Sequence, residues 1–357
     1  MIRRFGALTA LLIGALLPAC GNSTPGGFVS TSPSPSSELP TVTEYPITPS
    51  NAPQGITAGP DCAVWFTESS SSGATAIGRV STSGNVTQYP IISFSHPGSI
   101  TAGSDGALWF TDNVNGIGRI TTGGSVSYPA TVDAGSITAG PDGALWLVSG
   151  GFVVRLTTGG SLTQYPMSGS WSGGPGGMQG ITFGPDGALW FPLENVNGVI
   201  AIGRMTTGGN FTYYQLPDAA QPHNPAGTID ITTGSDSALW FTLPVSSPSS
   251  TSIGRLTTGG SFTFYPVYSK VDSITSGPDG ALWITEYSGK VGRLTTNGGL
   301  SEYPVPGGGI GGVADTFGGI TVGPDKAIWF SLITGSAIGR ITDPFTSSSA
   351  SAVPNCS

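Results

Sequence analysis

One motif recurs seven times along the chain. The consensus of the copies reads Ile-Thr-x-Gly-Pro-Asp-Gly-Ala-Leu-Trp-Phe-Thr. The copies place a tryptophan every 37 to 50 residues, at Trp65, Trp109, Trp146, Trp190, Trp240, Trp283 and Trp329. A period in the forties with strand-type patterning is typical of a β-propeller with one blade per repeat. We therefore predict an all-β, seven-bladed β-propeller with four strands, a to d, in each blade.

The two ends of the repeat array predict how the ring closes. The last repeat ends after its third strand, at residues 338–342, and a spare outer strand, Val42–Pro46, precedes the first repeat. We expect this N-terminal strand to complete blade 7, so that no open strand edge remains. The predicted domains are a signal peptide (1–19), a Ser/Pro-rich tether (20–40), the propeller (41–343) and a C-terminal tail (344–357).

The first twenty residues are typical of an export signal. Arg3 and Arg4 precede an apolar run, 5–17, that is too short to span a bilayer as a helix. Leu-Pro-Ala-Cys at 17–20 resembles a bacterial lipobox, which predicts a lipid anchor on Cys20 and a membrane partner. The predicted location is the extracytoplasmic side of the bacterial cell envelope, or the medium if the lipobox is not used.

Charge and cysteine content narrow the classes of partner. The net charge is −8, and seven of the 12 basic residues belong to the repeat, which leaves no basic patch for nucleic acid. If Cys20 carries lipid, Cys62 and Cys356 remain, an even number for an oxidising compartment. We predict a Cys62–Cys356 disulfide, because the tail leaves blade 7 beside the turn that holds Cys62. A monomer is expected.

Strand direction sorts the loops into two faces. The a–b and c–d turns share one face, here called the bottom, and are short and uniform. The b–c and d–a loops share the top face and vary in length, so we predict the ligand site there. The repeated tryptophans, turn aspartates and arginines are interpreted as structural, because every blade carries one of each.

Irregular positions are the better candidates for function. Glu68, Asp112 and Glu286 lie three residues after a tryptophan, while Gln54 and Asp272 lie two residues before the strand-a isoleucine. Blades 6, 7, 1 and 2 are contiguous, which predicts an acidic top sector that binds a ligand. Its oxygens suit Ca²⁺ or Mg²⁺, with Asp272, Glu286 and Glu68 as candidate metal ligands. The alternative is that these are ordinary solvated loop acids.

Three further side chains fall in predicted top loops. Trp171 lies in a Gly/Ser-rich insert before blade 4, where it either stacks on a sugar or apolar ligand or packs on the ring. His96 and His223 lie three blades apart, which argues against joint ligation of one metal.

The repeat, followed by Ile-Gly-Arg-Ile-Thr, resembles that of the virginiamycin B lyase (streptogramin lyase) family, most closely at 55–68 and 274–286. The resemblance implies a seven-bladed propeller that opens cyclic depsipeptide antibiotics by elimination, using Mg²⁺ and a histidine base. In one register its histidine slots fall on Asp272 and Gly318, and in another on Ile229 and Asp272. No histidine occupies any slot, and only Glu286 matches the family's acidic positions, so it is the one candidate catalytic residue.

Three functions therefore remain open from the sequence. The first is an exported propeller that lacks lyase chemistry and binds a small molecule, glycan or protein on its top face. The second is a metal-dependent lyase acting on a cyclic depsipeptide or similar ester through a rebuilt acidic site. The third is a carbohydrate-binding propeller that uses Trp171.

Overall fold

The computed structural model describes residues 40–48, 51–70, 72–169, 171–172, 180–221, 229–243, 251–267, 269–306 and 317–342. All of them belong to one compact unit, Glu38–Ser357. The described strands form seven antiparallel sheets arranged as the seven blades of a ring. Blades are numbered 1 to 7 in the order of their repeat tryptophans, Trp65 to Trp329. The seven-bladed, all-β prediction is confirmed.

Each blade is built from the four strands a to d. The inner strands a are Ala52–Ala58, Pro97–Ala102, Ser136–Ala139, Thr182–Phe183, Ile231–Thr233, Val271–Ser276 and Phe317–Val322. Strands b are Ala63–Ser69, Ala107–Asp112, Leu145–Ser149, Leu189–Asn195, Ala238–Thr242, Leu282–Glu286 and Ile328–Leu332. Strands c are Ala76–Ser81, Gly116–Thr121, Phe152–Leu156, Ile200–Met205, Thr251–Thr257, Lys290–Leu294 and Ala337–Ile341.

The outer strands d are Val86–Pro90, Val126–Ala130, Leu162–Pro166, Phe211–Gln215, Phe262–Pro266, Leu300–Pro304 and, for blade 7, Val42–Pro46. A two-residue strand, Trp171–Ser172, adds to blade 4, and a 3₁₀ turn spans Asp218–Ala220.

The N-terminal strand closes the ring as predicted. Val42–Pro46 pairs antiparallel with strand c of blade 7, in register from Val42 with Ile341 to Pro46 with Ala337. The ring of Tyr45 also stacks on Trp329, with centroids 5.4 Å apart. First and last blades are thereby joined by a full ladder of backbone hydrogen bonds, which protects the edge at which a propeller could open.

The repeat residues form the same three-residue cluster in every blade. Each tryptophan is fully buried and donates its indole N–H to the aspartate of its a–b turn, at 2.8 Å for Trp65 and Asp61. The other oxygen of that aspartate accepts a hydrogen bond from the repeated arginine of strand c, at 2.6 Å for Arg79. The seven clusters are Asp61–Trp65–Arg79, Asp105–Trp109–Arg119, Asp142–Trp146–Arg155, Asp186–Trp190–Arg204, Asp236–Trp240–Arg255, Asp279–Trp283–Arg293 and Asp325–Trp329–Arg340.

This packing explains why two positions of the repeat require glycine. A Cβ on Gly59, at the end of strand a, would lie 2.3 Å from the indole of Trp65. A Cβ on Gly78, in the Ile-Gly-Arg segment, would lie 2.1 Å from the ring of Phe66. Blade 3 shows the compensation, since Val154 replaces this second glycine where Leu147 replaces the phenylalanine. The glycines of the motif therefore make room for aromatic side chains.

Both ends of the chain lie outside the described residues. Cys62 is disulfide-bonded, but Cys20 and Cys356 lie outside the described residues, so its pairing with Cys356 stays a prediction. The predicted signal peptide, tether and tail, and His223, lie outside them as well. No helix among the described residues is long and apolar enough to cross a membrane.

Candidate ligand site

Residues in or directly beside the inner strands of all seven blades surround one central cavity. Its volume is about 870 Å³, and side chains from the top loops, including Ser69, His96, Asn113 and Tyr287, form its mouth. The wall mixes isoleucines with hydroxyl, amide and charged groups. A volume of this size, with few convergent polar groups, is typical of small-molecule sites.

The inner strands are irregular where they reach the mouth. Strand a carries a register shift at Pro53/Ile56 in blade 1, Pro97/Ile100 in blade 2, Val271/Ser273 in blade 6 and Phe317/Ile320 in blade 7. These four blades are contiguous around the ring. Since β-bulges redirect side chains and are common beside functional sites, this half of the mouth departs from the regular repeat where a ligand would enter.

Blade 6 places a charged cluster at the mouth. The Lys270 Nζ atom lies 3.5 Å from Oδ1 of Asp272 and 4.0 Å from the ring centroid of Tyr287. All three residues line the cavity. The ammonium group is held by one carboxylate and one aromatic face, so it presents a fixed donor to the opening.

Two groups deeper in the wall also matter. Asp230, beside strand a of blade 5, accepts hydrogen bonds from Ser273 Oγ at 2.6 Å and from the Ile274 N–H at 3.0 Å. Burial raises the pKa of Asp230, and these hydrogen bonds lower it by less than burial raises it. Ser136 of blade 3 is buried, and its Oγ has no hydrogen-bond partner within the described part of the chain. An unsatisfied buried hydroxyl in a cavity wall is a group that a bound molecule can pair.

The predicted residues Gln54 and Asp272 line this cavity, whereas Glu68, Asp112 and Glu286 do not. In each of those three cases the acid shares the strand face of the aromatic or isoleucine two residues before it. In blades 1 and 6 the acid lies over the glycine of strand c, since a Cβ on Gly78 would lie 2.6 Å from Oε1 of Glu68 and one on Gly292 would lie 2.7 Å from Oε1 of Glu286.

Glu68 is fully buried in blade 1. Its Oε2 accepts hydrogen bonds from Asn51 Nδ2 at 3.0 Å and from Gln88 Nε2 at 2.6 Å. Burial raises the pKa of Glu68, and these two hydrogen bonds oppose the rise. Its Oε2 is thus held by two protein donors, whereas its Oε1 has no hydrogen-bond partner within the described residues.

Glu286 occupies the same position in blade 6 and is equally buried. The nearest acid on strand d is Glu302, which is opposite Gly292 in the strand register. Glu302 accepts a hydrogen bond from Lys290 Nζ at 2.8 Å. Burial, followed by the charge of Glu302 and a hydrogen bond with it, raises the pKa of Glu286 to about 7. The carboxyl group is therefore partly protonated near neutral pH, and its Oε1 has no hydrogen-bond partner within the described residues.

Asp112 of blade 2 is buried and surrounded by donors. It accepts hydrogen bonds from the backbone N–H groups of His96 (3.2 Å) and Val114 (3.0 Å), from Asn115 Nδ2 (3.0 Å) and from Tyr128 Oη (3.3 Å). The carboxylate ties a d–a connection to a b–c loop at the rim of the mouth. Its role in the structure is to fix these two top loops relative to each other.

Trp171 lies at the top of blade 4, outside the cavity wall. It is half-buried, pairs with Asn195 of strand b and stacks on Tyr213 with centroids 5.7 Å apart. One face of its indole is therefore covered by this chain, which leaves less of it for a sugar.

The candidate metal ligands do not come together. Within the described ranges, no group of three or more His, Cys, Asp or Glu side chains is arranged to hold a metal ion. Glu68 and Glu286 are engaged with strand-d partners, away from Asp272. These residues do not fit the Mg²⁺ that the resemblance implies, so we derive no step through a metal.

Sequence reasoning missed the most irregular blade. Tyrosines of strand d stack on the tryptophan of their own blade in blades 1, 3, 4, 5, 6 and 7. In blade 2 a register shift between Ile117 and Arg119 turns Tyr128 toward Asp112 instead. The signal was present in the sequence: Tyr128 follows the turn glycine Gly124 by four residues, where the tyrosines of blades 1, 3, 4, 5 and 6 follow theirs by five.

The sequence model of the virginiamycin B lyase family matches residues 38–172 and 219–348. No curated protein matches.

Solved structures resemble the fold at low identity. The extracellular domain of a protein assigned as the hybrid two-component system BT3049, from B. thetaiotaomicron, superposes with a TM-score of 0.64 at 13% identity, over 85% of this chain and 41% of that one. The chain thus spans under half of that structure's length. The WD40 β-propeller domain of Doa1 gives 0.60 at 12% identity, over 85% and 98%. YCF48 from Cyanidioschyzon merolae gives 0.57 at 12% identity, over 84% and 98%. At these identities the likeness concerns the fold alone.

Proposed function

The chain belongs to the virginiamycin B lyase family, and we propose that it acts as a binding protein which takes a small, peptide-like molecule into the top mouth of its central channel. The observation that carries this proposal is the 870 Å³ cavity, into which polar groups from several blades converge. Lys270 and the Ser136 hydroxyl, which has no partner among the described residues, provide hydrogen bonds for amide and ester oxygens, and the isoleucines cover apolar groups.

The lyase function receives less support from the same geometry. The one residue that matches the family's acidic positions, Glu286, is buried near Glu302 within blade 6 and does not line the channel. The histidine slot at Gly318 is also closed, because a Cβ there would lie 2.4 Å from the carbonyl oxygen of Gln54.

One observation favours a second candidate function. The imidazole of His96 is exposed and lines the mouth, although it lies outside the family's histidine slots. A base there would remove a proton next to the ester of a bound depsipeptide, and the carboxylate would leave as the carbon–oxygen bond breaks. His96 would then be the catalytic residue of a lyase that differs from its relatives.

Titration calorimetry with virginiamycin B tests the binding proposal, and chromatography of the same mixtures detects ring opening. We expect micromolar binding with the antibiotic recovered intact. Absence of binding at 100 times that concentration refutes a peptide-like ligand. Ring opening that disappears in His96→Ala establishes the lyase instead.

Matched variants locate the site. Ser136→Ala is expected to weaken binding several-fold, whereas Thr285→Val removes a second buried, unpaired hydroxyl that does not line the cavity. Lys270→Met is paired with Lys326→Met, which removes an equal charge from a bottom turn. Equal effects within either pair would show that binding occurs elsewhere.

We also propose that the propeller is a monomer tethered by Cys20 to the extracytoplasmic side of the cell envelope, with its top face directed away from the membrane. The support is the leader and lipobox-like sequence and the entry of strand Val42–Pro46 from the bottom face. Mass spectrometry of the mature N-terminus tests the anchor, since an unmodified Cys20 or a cleavage site elsewhere contradicts it.

A further inference from the structure

The top face carries an exposed apolar group beside the channel mouth. Phe94 is 67% exposed, Ile92 is 52% exposed and Val114 is 62% exposed. Phe94 and Ile92 belong to the connection that continues into His96, and Val114 follows Asn113. Both His96 and Asn113 line the cavity. The three apolar side chains, here called the rim ledge, do not line the cavity themselves but belong to the two segments that flank its mouth.

Phe94 is held in an unfavourable backbone conformation. Its φ is +62°, in the left-handed region that bulky residues avoid. The Phe94 N–H donates to the Gly73 carbonyl oxygen at 3.0 Å, and its ring packs so closely on Gly73 that a Cβ there would lie 2.4 Å from it. Strain maintained at an exposed aromatic residue points to a function for its position.

The rest of the ledge is pinned by buried polar groups. Thr75 Oγ1 donates to the Ile92 carbonyl oxygen at 2.9 Å and lies 3.0 Å from the Ser95 hydroxyl. The Asp112 carboxylate accepts the N–H groups of His96 and Val114 and so joins the two segments.

The register shift in blade 2 brings Tyr128 to Asp112, the carboxylate that joins the two ledge segments. Because strand d is one residue shorter before Tyr128, Pro129 takes the place of the usual tyrosine beside the next blade's turn glycine, Gly160. Tyr128 is then free to reach Asp112 at 3.3 Å. The departure of blade 2 from the tyrosine position of the repeat thus occurs at the group that joins the two ledge segments.

We propose that the rim ledge is the subsite for an aromatic or branched aliphatic side chain of the peptide-like ligand, with Phe94 and Val114 determining specificity and Tyr128 acting through Asp112 as a positioning residue. This proposal rests on the proposed function, because the polar part of the same ligand occupies the channel mouth. The ledge is apolar and beside the cavity, so one molecule can cover both.

Saturation-transfer NMR with two probes tests the subsite directly. N-acetylphenylalaninamide is expected to bind, and N-acetylalaninamide is not. Phe94→Ser and Val114→Ser should each weaken the first probe about tenfold, the factor that corresponds to roughly 55 Å² of apolar surface left uncovered. Unchanged binding in Phe94→Ser overturns the ledge.

The chain offers a close control for Val114. Blade 4 repeats the same four residues, Asn-Val-Asn-Gly, and its Val196 is 81% exposed. The residue before Val114, Asn113, lines the cavity, whereas the residue before Val196, Asn195, does not. Val196→Ser should leave binding unchanged, and an equal loss would show general surface adhesion.

Tyr128→Phe removes only the hydroxyl group that reaches Asp112. We expect it to reduce the preference for phenylalaninamide over alaninamide. This preference is the diagnostic quantity, because a loss of stability alone would leave it unchanged. A lower unfolding temperature with an unaltered preference contradicts the positioning role.

Two further results separate this proposal from the proposed function. If virginiamycin B binds wild type and Phe94→Ser equally well, the rim ledge is not a subsite, while the proposal of ligand binding in the channel is retained. If wild type forms a concentration-dependent dimer that Phe94→Ser abolishes in sedimentation experiments, the ledge is a contact between copies and the subsite is refuted.

Discussion

Glu286→Gln should stabilise this protein at alkaline pH, although Glu286 is the one residue that matches the family's acidic positions. Burial and the neighbouring Glu302 raise the pKa of Glu286 from 4.5 to about 7. Between these two values the folded protein binds a proton that the unfolded chain releases. Stability therefore falls as pH rises through this window and is lowest above pH 7.

The magnitude follows from the shift. At 1.36 kcal/mol per pKa unit, the penalty above pH 7 reaches about 3 kcal/mol. We halve it because Glu302 is partly exposed and its charge is partly screened by water. Glutamine keeps the shape, can accept the Ser288 hydrogen bond and can donate to Glu302. The advantage of the variant over wild type should then grow by about 1 to 2 kcal/mol between pH 4.5 and pH 8.5.

Urea unfolding followed by tryptophan fluorescence at the two pH values measures this difference. Glu44→Gln is a matched control, since Glu44 lies in the equivalent strand-d register of blade 7, and the position three residues after that blade's tryptophan is Leu332 rather than an acid. A difference between Glu286→Gln and wild type that is constant with pH, or a loss of stability at pH 8.5, refutes the raised pKa of Glu286.

The remaining predictions concern the scaffold. Asp105→Ala should cost about 2 kcal/mol in urea unfolding, because the buried indole N–H of Trp109 loses its acceptor. Burial acts to raise the pKa of Asp105, but hydrogen bonds from Trp109 and Arg119 outweigh it and hold that pKa below its ordinary value of 3.8. The contribution of Asp105 is therefore present above pH 3.8 and is lost as pH falls through the lowered value. The deficit of the variant should shrink in acid, and a deficit that is constant down to pH 2.5 contradicts this. Ser237→Gly should raise the unfolding free energy by about 0.5 kcal/mol, since Ser237 has φ +57° where blades 2, 3, 4 and 6 have glycine; a lower urea midpoint would show that the serine side chain stabilises the turn. A chain without Val42–Pro46 should unfold at lower urea concentration and scatter light when concentrated, because strand c of blade 7 becomes an open edge; an unchanged midpoint would mean that ring closure contributes nothing.

Much of the fold was predictable because every blade repeats the same packing contacts. Trp65 and its counterparts need a buried site between strands, the turn aspartates favour the a–b turn, and Gly78 leaves space for Phe66. The missing strand d of the last repeat and the spare strand before the first also predicted ring closure, since an unpaired edge is unfavourable.

The site was less predictable because a loop position does not specify a side-chain direction. Glu68, Asp112 and Glu286 begin top loops, as the repeat indicates, yet they extend between strands rather than into the channel. The two-residue alternation of a β-strand places Glu68 on the face of Phe66, but whether that face meets a neighbouring blade or solvent depends on how the sheets pack.

The sequence by itself determined the number of blades, the closing strand and the face on which loops diverge, since these follow from periodicity and strand direction along one chain. Only the tertiary structure decided which polar groups converge, because that depends on contacts between residues far apart in sequence. Asp230 meets Ser273 of the next blade, and Asp112 accepts hydrogen bonds from His96, from Val114 and, because of the shift in strand d, from Tyr128. The repeated residues specify each blade through contacts within that blade. The partners of the residues that depart from the repeat are set only when neighbouring blades pack side by side.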